Sequence, residues 1–201
     1  MAIIEIPPIV IKTMTITLIG DSSLIVHRWS EKAKKQMLDK QRGAAVQKKA
    51  PKDPEQDFRD SLYHHPDGGY GFPTIAFKSA AVSACRFVEN IRMTEARGAF
   101  HIDGELIKLR GPNPEPVMRE DTVKISLTSD LRYRGEFHDW YVVFPVKYNA
   151  SIFNEAQILN LFENAGFGVG VGEWRPEKDG MHGRFHVAKA GELLPGEQVA
   201  A

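Results

Sequence analysis

A single cysteine, Cys85, is the first scarcity in this 201-residue chain. It excludes an internal disulfide and any zinc cluster built on cysteine pairs, and it points to a reducing cytoplasm. No apolar run approaches the ~20 residues that a membrane-spanning helix needs, so no membrane partner is expected. The opening MAIIEIPPIVIK lacks the basic stretch and the small-residue cleavage site of a signal peptide, which again predicts a cytoplasmic location. Net charge is missing too. The 26 basic residues balance 26 acidic ones, so composition alone announces no polyanion partner.

Several motifs are absent, and each absence closes a class of chemistry. There is no Gly-Lys pair, hence no loop whose lysine reaches nucleotide phosphates while a neighbouring hydroxyl meets magnesium. From Gly166 the sixth position is Val171 and from Gly168 it is Glu173, so the dinucleotide fingerprint fails. Neither H-E-x-x-H nor G-x-S-x-G occurs. His64 and His65 are adjacent, and His182 and His186 stand four apart in a strand-like stretch. Neither spacing makes a metal site. No metal and no cofactor are expected.

What is present is an uneven distribution of charge. Residues 22–52 hold nine lysines and arginines against two acids, Glu31 and Asp39, so this segment carries +7 and the remainder −7. Such asymmetry is the electrostatic footprint of a nucleic-acid binder, and equally of a solvated basic helix.

IVIKTMTITLIG (9–20) is β-branched and alternates as a strand does. Ser30 is a reasonable cap for the basic helix EKAKKQMLDKQ. The polar, proline-broken stretch that follows, about 41–56, reads as a mobile arm. DFRDSLYHH predicts a helical turn. Pro73 starts a second helix with Ala76, Ala80, Val82, Cys85 and Val88 as its apolar face. GAFHI and ELIKL are short strand candidates. TVKISLT and EFHDWYVVFPVKYN are stronger ones, joined through LRYRG as a turn with exposed arginines. NEAQILNLFEN (154–164) is an amphipathic helix with Gly166 just past its end, and RFHVAK closes as a strand. The expected fold class is α+β, a ferredoxin-like β-α-β-β-α-β antiparallel sheet within one domain over 1–201. Its core lies near 9–20 and 121–190, with a helical, basic insertion near 22–120.

Glycine then recurs at 166, 168, 170, 172, 180 and 183, with Arg175, Lys178, His182 and Arg184 between and after. Glycines let a phosphate backbone approach the main chain, arginines grip phosphates, and an aromatic stacks on a base. Gly168, Gly170, Gly172, Trp174, Arg175, Lys178 and Arg184 are therefore candidate nucleic-acid contacts. A packed turn with Trp174 in the core is the competing reading. Arg28, Lys32, Lys34, Lys35, Lys48 and Lys49 in the basic segment would neutralise phosphates. Arg132, Tyr133 and Arg134 would contact phosphate and stack.

The stretch GVGVGEWRPEKDGMHGRFHV resembles the glycine-rich end of the RAMP superfamily, ferredoxin-like RNA-binding proteins that include the repeating backbone subunits of CRISPR effector complexes. The resemblance implies binding of single-stranded RNA by its backbone, as a homo-oligomer or as one subunit of a ribonucleoprotein. A solitary phage-encoded relative fits the short chain as well. The leading reading is sequence-independent, non-catalytic binding of single-stranded RNA, with single-stranded DNA the other polymer. One alternative is a metal-independent endoribonuclease, for which His27 and His182 are the candidate catalytic residues. Others are a phage protein that inhibits a host RNA-guided complex and a single-strand DNA annealing protein.

Overall fold

The computed structural model describes residues 8–43, 51–125 and 128–198. In chain order the elements are β1 (Ile11–Gly20), β2 (Leu24–Val26), α1 (Glu31–Gln41), α2 (Pro54–Asp60), β3 (Gly71–Pro73), α3 (Thr74–Ala84) and α4 (Met93–Ala99). They continue with β4 (Phe100–Ile102), β5 (Leu106–Lys108), β6 (Val117–Ile125), β7 (Thr128–Phe137), β8 (Tyr141–Asn149), α5 (Glu155–Gly168) and β9 (Phe185–Val187).

Alternation along β1 buries Ile16 and Leu18 on one face and turns Thr15 and Thr17 to the other. β8 runs antiparallel to it over nine pairs, from Ile11 opposite Asn149 to Ile19 opposite Tyr141. The full sheet has the order β4-β8-β1-β9, every neighbour antiparallel. With α3 between β1 and β4, and α5 between β8 and β9, this is the ferredoxin-like β-α-β-β-α-β arrangement. Helices α3 and α5 pack together over a layer of rings. Phe77 stands 5.7 Å from Phe144 and 6.0 Å from Phe185, and Phe162 lies 5.9 Å from Phe144. Burying each such ring stabilises the fold by ~1.5–3 kcal/mol.

The core draws its first helix and second strand from residues 74–102, inside the stretch expected to be an insertion. The additions come in two pieces. One is β2 with α1 and α2. The other is the hairpin β6–β7, which joins β2 in a second sheet of order β2-β7-β6. β3 and β5 form a separate two-stranded pair.

Three local expectations are corrected. LRYRG is not a turn: it lies within β7, with Arg134 opposite Arg119 and Gly135 opposite both Met118 and Val26. Gly135 marks close packing here, since a Cβ on it would stand 2.3 Å from Leu62 Cδ2. Part of the 41–56 arm is ordered helix. Asp53 accepts a hydrogen bond from the Gln56 amide at 3.1 Å, and Pro54 occupies the first turn of α2, where its missing N–H is harmless. Helix α5, capped reciprocally by Asn154 and Gln157, runs through Gly166 to Gly168. No helix among the described residues is long and apolar enough to cross a membrane.

Candidate nucleic-acid interface

The glycine-rich stretch is tied down along its length. Past α5, the Val171 amide donates to Gly183 O at 2.9 Å and the His182 amide to Trp174 O at 3.0 Å. Bonds to a neighbouring segment dock the loop beside β2. Glu173 N donates to Ile25 O, Gly183 N to Ser23 O, and Asp21 N to Arg184 O. The space glycine leaves is filled by the protein's own backbone. A Cβ on Gly183, whose φ is +64, would stand 1.7 Å from Val171 O. On Gly166 it would stand 1.7 Å from Phe185 O. Gly170 and Gly172 abut Pro176 and Ile25 O, and Gly168 abuts the Phe87 ring. Internal packing thus accounts for these glycines without a bound strand.

Trp174 is the exception. It is 40 % exposed, not a core residue, and it holds φ +53. A bulky side chain rarely adopts that left-handed conformation. Trp29, on the segment following β2, is 57 % exposed. Sequence reasoning passed over it because it sits in VHRWS beside His27, where it reads as a structural neighbour.

The predicted cations divide into two sets. Lys35 and Lys178 are exposed and have no acidic partner among the described residues. Arg184 has none either, and its Nε is buried without a hydrogen-bond partner. Others are spoken for. Arg175 donates to Glu177 at 3.0 Å and to Gly172 O at 3.0 Å. Arg132 pairs with Asp130 at 3.0 Å. Arg134 is 5 % exposed and bonds Asp121 at 3.2 Å, so it serves the fold as a buried ion pair. Tyr133 bonds Glu120, which with slight desolvation raises its phenol pKa. Arg28 donates its amide to Ser61 O, and Lys34 lies exposed on α1. The Lys32 side chain, and Lys48 and Lys49 entirely, lie outside the described residues.

The two histidines sit at the ends of one polar network. His27 Nδ1 is 3.7 Å from Glu173, whose other oxygen is 3.7 Å from Arg134. Arg134 leads through Asp121 to Arg119 and on to Glu136. Ser23 Oγ donates to Glu136 at 2.5 Å and meets His182 Nδ1 at 2.9 Å. Because the Ser23 proton goes to the carboxylate, His182 Nδ1 must be the donor in that second bond. Hydrogen bonds from Ser23 and Arg119 outweigh burial and hold the Glu136 carboxyl below its ordinary range. His27 beside it, and then Arg134, do the same for Glu173 against the opposing effect of burial. A base and an acid for strand cleavage must converge on one phosphate. Each candidate meets a group of the fold, His27 beside Glu173 and His182 on the Ser23 hydroxyl.

A cleft of about 320 Å³ opens between α3 and the loop. One wall is the α3 face carrying Ile75, Ala76, Ser79 and Ser83, and the other is Val169 to Glu173. His27, Tyr63 and Glu173 line it as well, and so do Arg175 and Glu177, the latter bonded to Arg86 at 2.5 Å. Nothing in a single sequence joins Tyr63 to Glu173. Ser79 and Ser83 stand one helical turn apart on its α3 wall.

His186 clamps the chain behind the loop. Its Nδ1 lies 2.6 Å from Asp21 and its Nε2 2.9 Å from Glu192. Burial alone would lower its pKa, but the two carboxylates prevail and hold it above the ordinary value. A raised folded pKa contributes stability that is fully present below the unfolded value of ~6.5 and is lost as pH rises through the folded one. His186→Ala should therefore lower the melting temperature more at pH 6 than at pH 9, as measured by thermal unfolding across that range.

The fold and the loop define an elaborated ferredoxin-like protein with a packed glycine-rich segment between its last helix and last strand. No family model matches the chain, and no curated protein matches it. Among solved structures it is similar to Cmr6 from Pyrococcus furiosus, with a TM-score of 0.47 and 11 % identity over 90 % of this chain and 100 % of that one. A likeness so distant transfers no function.

Proposed function

We propose that this protein binds single-stranded nucleic acid without strict sequence preference, RNA before DNA, through the face formed by the glycine-rich loop and the segment following β2. The observation that carries the reading is Trp174: a large aromatic held in a left-handed backbone conformation and left exposed. Strained residues persist where the surroundings over-determine them, and they cluster at sites that bind. Lys178 and Arg184 on the same loop, and Lys35 on α1, supply cations with no acidic partner among the described residues. The preference for RNA rests on the resemblance of the loop sequence. Assembly along the strand, as an oligomer or within a ribonucleoprotein, is supported by Phe87 and Phe167, 58 % and 80 % exposed near the end of α5.

The test is fluorescence anisotropy with labelled RNA and DNA oligonucleotides of ~20 nucleotides, in which phosphate contacts make affinity fall steeply with salt. Binding at low salt, weakening between about 50 and 200 mM, is expected, with RNA the tighter ligand. No binding to either polymer at low salt would remove the proposal.

A further inference from the structure

The cleft between α3 and the loop is lined by polar groups with hydrogen-bonding capacity left for a ligand. The Tyr63 hydroxyl has no hydrogen-bond partner among the described residues, its ring resting edge-on against Phe72 at 5.9 Å. Among the described residues the Ser79 and Ser83 hydroxyls have none either. Glu173 has one cationic or imidazole neighbour at 3.7 Å on each oxygen, His27 on one and Arg134 on the other. A carboxylate has about four acceptor positions on its two oxygens, so one neighbour on each leaves acceptor capacity for a ligand. Between these groups the lining is apolar and partly aromatic: Phe72, Ala76, Ala80 and Val171. An apolar slot with a few convergent polar groups is the form of a small-molecule or base site.

We propose that this cleft is a base pocket selective for guanine within a single strand. The inference rests on the nucleic-acid reading above and adds to it one position at which sequence is read. Glu173 offers two acceptors side by side, so its complement is a flat group with two adjacent donors. Guanine presents such a pair, N1–H and the N2 amino group, on its Watson–Crick edge. Adenine sets an acceptor beside its amino group, cytosine does the same, and uracil has one N–H between two carbonyls. Each would place an acceptor lone pair against a carboxylate, which replaces an attractive contact with a repulsive one. The Tyr63 hydroxyl lines the same cleft as Glu173 and can donate to the guanine O6. Ser79 and Ser83 line the remaining length, where the sugar would lie. A volume near 320 Å³ accommodates one nucleoside and not a stack of two. A partner protein's arginine also has a donor pair, but its narrow side chain would leave the Phe72–Val171 lining uncovered.

The experiment compares the affinity of the protein for an oligouridylate of about nine nucleotides with that for the same strand carrying one central G, A or C. The guanine strand is expected to bind about tenfold more tightly, a discrimination typical of one bidentate base contact. Glu173→Gln should abolish that increment, read as the ratio of guanine-strand to oligouridylate affinity for the same variant. Tyr63→Phe, which removes one hydroxyl and keeps the ring, should reduce it and guards against a folding defect in the first variant. Equal affinity for all four strands would overturn this inference and leave the function reading standing. So would competition by N-acetylarginine amide with no guanine increment, which would mark the cleft as a protein-docking site. Failure to bind any strand would overturn both.

Discussion

Replacing Gly183 by alanine should destabilise the protein by about 4 kcal/mol or more, because it combines two of the mechanisms that give large single-site losses. The first is steric: the new Cβ would lie 1.7 Å from Val171 O, a backbone atom that cannot swing away as a side chain would. The same Val171 and Gly183 are joined by a hydrogen bond from the Val171 amide to Gly183 O, so relief of the clash breaks that bond. The second is conformational, since φ at Gly183 is +64, a region that costs an L-residue roughly 1–2 kcal/mol. For a chain of this length the loss corresponds to a fall of roughly 8–16 °C in melting temperature. Gly166→Ala, pressed against Phe185 O inside α5, should behave similarly. Gly98→Ala is the control. It lies in α4 with nothing within 4 Å of its Cβ position, and there alanine should be neutral or gain up to ~1 kcal/mol. Wild-type melting of Gly183→Ala would mean that the loop is not packed as described, and that its glycines wait for a strand after all.

The two glycine readings differ in what lies opposite each glycine, and that is information a sequence does not hold. Alternating Gly-Val-Gly-Val-Gly has the same spelling whether phosphate or carbonyl fills the gap. By contrast β1 was legible, because its threonines and aliphatics alternate with the period of a pleated strand. The start of α5 was legible too, because Asn154 and Gln157 make a local, reciprocal cap. β7 was misread at Gly135 for the same reason as the loop: a glycine that admits Leu62 looks like a glycine that turns the chain. Arg134 followed from that error. As part of a turn it would reach solvent, whereas as a strand residue it faces Asp121 and Glu173 across 13 and 39 positions of sequence. The cations without an acidic partner among the described residues and the cleft beside α3 belong to this second kind of feature. Lys178 and Arg175 are alike as letters, and only the position of Glu177 makes one available and the other engaged.

Trp174 separates binding from stability, and so gives the sharpest test of the site. Trp174→Gly should leave the melting temperature within about 4 °C of wild type, because two effects oppose each other. The variant loses the covered part of the ring, and the more flexible unfolded chain disfavours folding. Against this it relieves the left-handed strain at φ +53, worth roughly 1–2 kcal/mol. Its affinity for a single strand should nevertheless fall about 10- to 100-fold, as loss of one aromatic stacking platform costs ~1–3 kcal/mol. Trp174→Ala should bind as poorly but melt lower, because alanine keeps the strain and loses the ring. Trp174→Phe, with a stacking face retained, should recover most of the affinity. The pattern across the three is the point. If binding tracked melting temperature, the ring would be a packing element and the loop a structural turn. If binding followed the presence of an aromatic face while stability followed the φ preference, the strain would be the cost of displaying a ring to a ligand.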